Sequence, residues 1–269
     1  MPPASTLSFK DRVLNLIKTL HFVWFLGHVL TVLGTVFYAI SFFSNNYLYR
    51  LAYLGTLLSY GVVNYKNHGK IQVHAAYIQK LLMDENAQYF FLAFFWFLTK
   101  PIAVTLIPYC TFSAFHALGY VRTNVIPNVF PPQSTTASTT ATGSTTTAKP
   151  SWQITTQQKI KSLTDKYYTT AMRFVAQSEV TLIAVRLLVG VFRFQFLPFI
   201  IYAQFLRMRY HLSSHTQQTF SQLRVRLDEM ILTNNAPAMV QKIYKTIKAI
   251  IIRFGNNIVQ QQARPAAAH

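Results

Sequence analysis

Histidines are the residues of this chain whose type and spacing come nearest to a site for chemistry. His211 and His215 stand four residues apart, a spacing at which two side chains of one helix can share a zinc ion. No cysteine or acid lies close to them in the sequence, so we interpret them as a solvated pair. His28 and His116 fall inside apolar runs, where a hydrogen-bonded packing residue is the ordinary case. We therefore predict no metal site.

Motifs for enzymatic chemistry are missing from the sequence. The chain has no glycine-rich phosphate-binding loop, no serine nucleophile elbow and no carboxylate pair suited to acid–base catalysis. Its single cysteine, Cys110, excludes an intrachain disulfide and a metal cluster held by cysteines. A path for protons or cations usually needs acidic side chains inside the membrane. We expect no acidic side chain in the apolar runs, so the sequence does not indicate such a path. We predict a protein without enzymatic activity and without a cofactor.

Composition indicates what kind of element positions these residues. Of the 269 residues, 51% are hydrophobic and 15% aromatic, and only 12% are charged, against about 25% charged in soluble proteins. The formal net charge of +18 suits either nucleic acid or anionic lipid as a partner. Membrane-length aromatic runs favour lipid and argue against nucleic acid. We predict an all-α integral membrane protein, with a helical hairpin, two proline-broken hydrophobic segments and cytosolic amphipathic helices.

The predicted transmembrane hairpin occupies residues 21–63, after a basic cytosolic segment of residues 1–20. Two apolar runs flank a short polar turn, and each is long enough to cross a bilayer as a helix. Gly27 and Gly34 stand seven residues apart in the first run, where a neighbouring helix could approach closely. Basic residues place both outer ends of the hairpin in the cytosol. Residues 64–88 follow as a cytosolic amphipathic helix.

Residues 89–118 form a long aromatic segment with one charge, Lys100. This segment exceeds the about 20 residues that cross a bilayer upright, yet it is short for two crossings. Pro101 and Pro108 lie within it, and a proline in a helix lacks the hydrogen-bond donor and clashes with the preceding turn. Two arrangements fit this pattern: one long, kinked and tilted span, or a hairpin that folds back on itself.

The second half of the chain begins with a linker. Residues 119–150 are rich in Ser and Thr and cannot form a core, so they are either an inert tether or a site for glycan or phosphate attachment. The apolar spacing over residues 151–179 predicts an amphipathic helix. Residues 180–206 form the last membrane segment, which we expect Pro198 to break.

Two arginines stand seven residues apart on one face of that last segment. Charges such as Arg186 and Arg193 are costly in hydrocarbon, so we expect lipid phosphates as their counter-ions. A shallow helix or a wedge in one leaflet would allow this better than a central span. Together with Arg50, these arginines suggest an alternative function, a small transporter or channel regulator with an arginine-lined anion path.

Residues 207–269 form a basic cytosolic tail, with an amphipathic helix predicted over residues 237–254. At about 100° per residue, its apolar side chains share one face and its basic side chains the other. Such a helix after membrane spans is typical of an element that binds anionic lipids by charge and apolar insertion. The alternative is that its apolar face packs on the preceding helix. The predicted membrane-binding residues are Val240, Lys242, Ile243, Tyr244, Lys245, Ile247, Lys248, Ile250, Ile251, Arg253 and Phe254.

Both termini are predicted to lie in the cytosol, because the two later membrane segments either both cross once or both fold back. The first possibility places the Ser/Thr-rich linker in the lumen, and the second places it in the cytosol. Basic residues between positions 119 and 179 favour the second possibility.

Two blocks of the sequence carry a pattern shared with a known family. The first block contains Leu81-Leu82, Asp84-Glu85, Tyr89, Pro101, Pro108, Phe112-Ser113, His116-Ala117 and Tyr120. The second contains Pro198-Phe199-Ile200, Tyr202, Phe205-Leu206, Arg209-Tyr210, Phe220 and Leu223-Arg224. In combination these blocks resemble the transmembrane protein 33 family, which includes the fungal pore-membrane nucleoporin and related ER-shaping proteins. The Ser/Thr-rich linker and Lys100 depart from the family pattern.

The resemblance implies a non-enzymatic protein of the endoplasmic reticulum membrane and nuclear envelope. Such a protein would shape or stabilise curved membrane and support the assembly or distribution of nuclear pore complexes. The implied partners are reticulon-type membrane shapers and nucleoporins, with import receptors at the basic tail. Aromatic insertions and a basic amphipathic helix are compatible with this role, because they would load one leaflet more than the other.

Overall fold

Every regular element described by the computed structural model is helical. The structure describes residues 8–70, 72–131, 151–233 and 236–263, with the backbone alone for residue 251 and residues 253–263. Three helical runs in these ranges are long and apolar enough to cross a membrane, namely Leu20–Ile40, Ala103–Val129 and Trp152–Val191. These features confirm the predicted all-α integral membrane protein. The chain divides into two compact units, Met1–Ile201 and Tyr202–His269.

Side-chain caps set the starts of the first three helices. Helix α1 is Phe9–Ile17, α2 is Leu20–Ile40 and α3 is Asn46–His68. The cap residues Ser8, Thr19 and Asn45 each accept a hydrogen bond from a backbone N–H in the first turn of the helix that follows. Helices α2 and α3 are antiparallel around the turn at residues 41–45, since Tyr38 and Tyr49 meet beside that turn with ring centroids 5.4 Å apart.

Helices α2 and α3 approach so closely that their backbones touch. A β-carbon placed on Gly55 would lie 2.6 Å from the Gly27 carbonyl oxygen. Ser59 Oγ of α3 donates to the Trp24 carbonyl oxygen of α2 at 2.9 Å. Helix α3 is not among the three runs that are apolar enough to span alone. Several of its polar side chains, such as Tyr53, Thr56 and Ser59, are instead buried against neighbouring helices, and this lowers the cost of placing α3 beside an apolar span.

Helices α5 and α6 contain the central aromatic segment, and the shorter helix α4 precedes them. The bounds of α4, α5 and α6 are Ala75–Met83, Glu85–Leu98 and Leu106–Tyr120, with a 3₁₀ turn at Ala103–Thr105. The chain leaves helical conformation between α5 and the 3₁₀ turn, and Pro101 lies in this break. Pro108 lies in the first turn of α6, where a missing N–H removes no helical hydrogen bond. The break in the helix therefore falls at Pro101 and not at Pro108.

The central segment folds back on itself. Tyr109 Oη of α6 donates to the Tyr89 carbonyl oxygen of α5 at 3.1 Å, and the two ring centroids are 5.7 Å apart. Twenty residues of straight helix would separate these groups by about 30 Å. The structure thus has the hairpin, and not the single kinked span, of the two arrangements that the sequence left open.

The α2–α3 hairpin and the α5–α6 hairpin lie side by side, with their connecting turns at the same end of the bundle. Tyr49 and Tyr53, near the start of α3, place their hydroxyl oxygens 3.2 and 2.7 Å from Thr105 Oγ1, beside the start of α6. We call this the far end; it holds the α2–α3 turn and the α5–α6 connection. At the opposite, near end, the His21 ring of α2 lies 4.7 Å from the Tyr120 ring of α6. Four antiparallel helices, α2, α3, α5 and α6, therefore form the centre of the first unit.

A single long helix then returns from the near end to the far end. Its parts are α8 (Trp152–Gln177), a π-helical turn (Ser178–Ile183) and α9 (Ala184–Val191), after a π-helical turn at Val121–Val125 and α7 (Ile126–Val129). At the near end the Trp152 ring lies 5.6 Å from the Phe130 ring. The second π-helical turn packs beside the 3₁₀ turn at the far end. The boundary that we expected between residues 179 and 180 therefore falls inside one helix.

The last apolar run is interrupted before its proline. The chain turns at residues 192–195 and becomes helical again as α10 (Phe196–Leu212), with Pro198 in the first turn. The first turn of a helix suits proline, because its N–H would have no helical partner there. The expectation that Pro198 itself breaks the run is therefore corrected.

One buried acid lies inside the long helix, directly before the apolar run that we expected to begin at residue 180. Glu179 is 1% exposed and belongs to the π-helical turn between α8 and α9. Tyr89 Oη of α5 donates to Glu179 Oε1 at 2.5 Å. π-helical turns within α-helices are rare, and they are frequently found at functional sites. A buried carboxylate needs such a donor, so this contact ties the long helix to α5.

The three arginines of the alternative function do not line an interior path. Arg50 Nη1 donates to the Phe97 carbonyl oxygen at 2.8 Å, at the C-terminal end of α5, where helical carbonyls lack helical donors. Arg186 and Arg193 are exposed on the outside of the first unit. The arginine-lined anion path has no support in this arrangement.

Candidate membrane-binding surface

The second unit ends in the helix that carries the predicted membrane-binding residues. After the end of α10, this unit contains α11 (Ser214–Asp228), a π-helical turn (Glu229–Thr233) and α12 (Ala238–Ala263). The Tyr210 and Phe220 rings meet at a centroid distance of 5.7 Å and pack the end of α10 against α11. Helix α12 covers all the predicted membrane-binding positions.

An apolar stripe on α12 is open to the surroundings. Val240, Ile243, Ile247 and Ile250 are 43%, 50%, 49% and 60% exposed. They recur at three and four residues, so they lie along one side of the helix. The predicted residues Ile251, Arg253 and Phe254 have side chains outside the described part of the structure. The four described side chains form what we call the α12 stripe.

A different side of α12 faces the preceding elements. Lys248 Nζ lies 2.7 Å from both carboxylate oxygens of Asp228, and Tyr244 Oη donates to Asp228 Oδ1 at 2.7 Å. Arg224 approaches the same carboxylate at 3.7 Å, one helical turn earlier on α11. Two of the predicted membrane-binding residues, Tyr244 and Lys248, therefore pair with an acid inside the unit. The contact between α11 and α12 is polar, and it does not cover the α12 stripe.

The electrostatics of this contact change the acidity of two groups. Partial burial, and then the hydrogen bond to Asp228, raise the pKa of Tyr244 to about 12. Hydrogen bonds from Lys248 and Tyr244 lower the pKa of Asp228 below its usual range. Both shifts favour the protonation states that the contact uses, a neutral phenol and an ionised carboxylate. Lys242 and Lys245 take no part in this contact and remain exposed.

We expect Asp228→Asn to lower the pKa of Tyr244 from about 12 toward its ordinary value, because the substitution removes the negative charge beside the phenol. Tyr244 has a raised pKa in the folded chain, so its stabilising contribution is present below about pH 10 and is lost as the pH approaches about 12. The contribution of Asp228 is present above about pH 4 and is lost as the pH falls through its lowered pKa.

The pKa of Tyr244 can be measured as the difference in tyrosinate absorbance between each chain and its Tyr244→Phe variant. The matched control is Glu229→Gln, which removes the neighbouring, exposed acid. This control should leave the titration of Tyr244 nearly unchanged. A titration of Tyr244 that is the same in Asp228→Asn and in the unmodified chain would contradict the role of Asp228.

The histidines do not form a metal site among the described residues. In the ranges that the structure describes, no group of three or more His, Cys, Asp or Glu side chains is arranged to hold a metal ion. His211 and His215 accordingly have no third ligand among these residues. His28 instead places Nδ1 2.9 Å from Ser113 Oγ, in the contact between α2 and α6.

Comparison with known proteins identifies the family. The sequence profile of the family described as "Transmembrane protein 33/Nucleoporin POM33" matches residues 2–257, nearly the whole chain. The chain belongs to this family. The family consists of membrane proteins and nucleoporins, and the names of the relatives describe no enzymatic activity.

Several relatives match this family member along most of their length. "Nucleoporin POM33" of Chaetomium thermophilum is 34% identical over 267 residues, which cover 94% of this chain and 92% of the relative. "Tetra-spanning protein 1" of Schizosaccharomyces pombe is 29% identical, with 96% and 93% covered. "Pore membrane protein of 33 kDa" of Saccharomyces cerevisiae is also 29% identical, with 94% and 89% covered. No solved structure shows a significant match.

Sequence reasoning overlooked two residues of this family member that the structure places at contacts. Asp228 binds two predicted lipid-binding side chains, and Glu179 binds Tyr89 across two helices. A signal for Asp228 was available, because it is one of only two acids after residue 207. Glu179 had no comparable signal, since its partner is 90 residues away in the sequence.

Proposed function

We propose that this protein is a non-enzymatic component of the endoplasmic reticulum membrane and nuclear envelope that stabilises curved membrane and supports nuclear pore complexes. The observation that carries the proposal is the family match over residues 2–257, together with relatives whose names describe a nucleoporin and a pore membrane protein. The apolar spans and the α12 stripe support a role at the membrane.

We further propose that the near end of the first unit faces the cytosol. Basic residues at this end, such as Lys10, Lys18 and Lys66, support this orientation under the positive-inside tendency. The expected linker of residues 119–150 is corrected at its start, because residues 119–129 are helical. Phe130 and Trp152 stand on either side of its Ser/Thr-rich part and meet at the near end. Both ends of the linker would then lie on the cytosolic side, together with the N-terminus.

The α12 stripe supports binding to an anionic bilayer surface. Its isoleucines would enter the boundary between headgroups and acyl chains, while Lys242 and Lys245 would face the phosphates. Each basic side chain near an anionic leaflet contributes about 1 kcal/mol to binding. Apolar insertion into one leaflet would expand that leaflet relative to the other and favour curvature. Nucleoporins and reticulon-type membrane shapers are the proposed protein partners, with import receptors at the basic tail.

Localisation in a cell that has a named relative tests this proposal. Expressed as a fluorescent fusion in Saccharomyces cerevisiae, the chain should concentrate at the nuclear rim and overlap with a marker of pore complexes. A matched chain that ends at Ile201 keeps the first unit and should remain in the same membranes with less enrichment at pores. A full-length chain that spreads evenly over the reticulum, or moves to the plasma membrane, would overturn the pore assignment.

A further inference from the structure

Two turns of the first unit present aromatic side chains outward. The α2–α3 turn carries Phe42, 90% exposed, and is followed by Tyr47, 86% exposed. The turn between α9 and α10 carries Phe192 and Phe194, 82% and 84% exposed. Large aromatic side chains at this level of exposure contribute little packing within the unit. We refer to residues 41–47 and 192–196 as the two aromatic turns.

The backbone of these turns is strained as well. Among the described residues, the non-glycine residues with positive φ are Phe42, Phe43 and Phe194, at 52°, 60° and 59°. The left-handed region is sterically unfavourable for a bulky L-residue, and glycine or asparagine is the usual occupant. Both the conformation and the exposed aromatic side chains would be unfavourable in water. A surrounding that solvates aromatic rings removes the second of these costs.

Both aromatic turns lie at the far end of the unit. The α2–α3 turn defines that end, beside the contact of Tyr49 with Thr105. Residues 178–183 of the long helix pack beside the 3₁₀ turn at the far end. Helix α9 then extends the long helix by eight residues, about 12 Å, before the second aromatic turn begins. The two turns are therefore on the same side of the bundle, opposite to the Phe130–Trp152 contact.

The charged residues at the far end fit the same surrounding, one that solvates aromatic rings. Arg50, Lys100 and Arg193 are exposed there. None of the seven acids of the chain falls in the aromatic turns or in the connection between α5 and α6. Aromatic rings flanked by cationic side chains are typical of the boundary between acyl chains and phosphates, because the rings enter the apolar layer and the cations reach the headgroups.

We propose that the two aromatic turns are immersed in the headgroup–acyl boundary of the far leaflet, so that the first unit ends within that leaflet. This inference rests on the membrane location in the proposed function but not on the pore or on α12. At the near end α1, α7 and the start of α8 lie together, because the Phe9 and Trp152 rings are 6.0 and 5.6 Å from the Phe130 ring. At the far end the four central helices are joined by short connections, and α9 ends in a turn. The unit therefore occupies the two faces of a bilayer unequally, which is a second source of asymmetry beside the α12 stripe.

Depth-dependent fluorescence quenching of the full-length chain in liposomes tests the immersion. A Cys110→Ser background receives one new cysteine, by Phe42→Cys or Phe194→Cys, and each variant carries a polarity-sensitive fluorophore. Quenchers attached to lipids at shallow and deep positions are compared with aqueous iodide in permeabilised vesicles, so that iodide reaches both faces. Lys161→Cys, on the exposed part of α8 at the near end, is the matched control.

We expect labels at positions 42 and 194 to be quenched several-fold more by the shallow lipid quencher than by iodide, and the label at position 161 to show the reverse order. Iodide quenching at 42 and 194 equal to that at 161 would overturn the proposal. Immersion of only one turn would overturn it as well. The result is independent of pore localisation, because a chain that fails to reach pores in cells can still show immersed turns in liposomes.

Discussion

Replacement of Gly55 by leucine is expected to disrupt the contact between α2 and α3 and to lower the stability of the first unit by about 3 kcal/mol or more. The β-carbon of the new side chain would lie 2.6 Å from the Gly27 carbonyl oxygen and 2.7 Å from the Thr31 nitrogen. These are backbone atoms and cannot turn aside as a side chain would, so the helices must separate. Separation would remove hydrogen bonds such as that from Ser59 Oγ to the Trp24 carbonyl oxygen.

The apparent melting temperature of the purified chain in detergent measures this effect. The matched control is Gly119→Leu in α6, because a β-carbon there meets nothing within 4 Å. Leucine has a higher helix propensity than glycine, so the control should melt at the same or a slightly higher temperature. If Gly55→Leu had the same apparent melting temperature as the unmodified chain, α2 and α3 would not pack as described.

Replacement of Ile243, Ile247 and Ile250 by serine is expected to abolish binding of a peptide of residues 236–263 to small anionic liposomes. Each fully buried isoleucine contributes about 1.5–3 kcal/mol, so the loss of three should weaken binding by about a thousandfold or more. These side chains are at least 49% exposed in the folded unit, and the substitutions therefore remove little internal packing.

Liposome flotation measures the bound fraction, and circular dichroism reports helix formation on the membrane. A control peptide carries Ala238→Ser, Thr246→Ser and Ala249→Ser, which place the same number of serines away from the α12 stripe. The control should bind nearly as well as the original peptide. Equal flotation of the stripe variant and the control would remove the membrane-binding role of α12.

Some features of this protein follow from short stretches of its sequence. A run of apolar residues long enough for a bilayer identifies a span such as Leu20–Ile40 without reference to any other part of the chain. The apolar spacing of Val240, Ile243 and Ile247 likewise predicts one face of α12, because the helical period of 3.6 residues is a local property. The family resemblance also needed only residue types and their order.

Proline positions show where local reasoning becomes ambiguous. Pro101, Pro108 and Pro198 have the same chemistry, yet only Pro101 lies in a break between helices. Pro108 and Pro198 lie in first turns, where the missing N–H removes no helical bond. The sequence shows that a helix cannot continue unperturbed through each proline. It does not show whether the helix begins there or ends there.

Only the tertiary structure decided which distant residues meet. The fold-back of residues 89–118 depends on Tyr89 and Tyr109, and the burial of Glu179 depends on α5 lying beside the long helix. Helix α3 is less apolar than the three membrane-length runs, and only the packing shows that neighbouring helices bury part of its polar surface. Composition and periodicity indicate which segments, and which faces of a helix, are suited to lipid or to water. Contacts between segments arise from the packing of particular surfaces, which no local pattern contains.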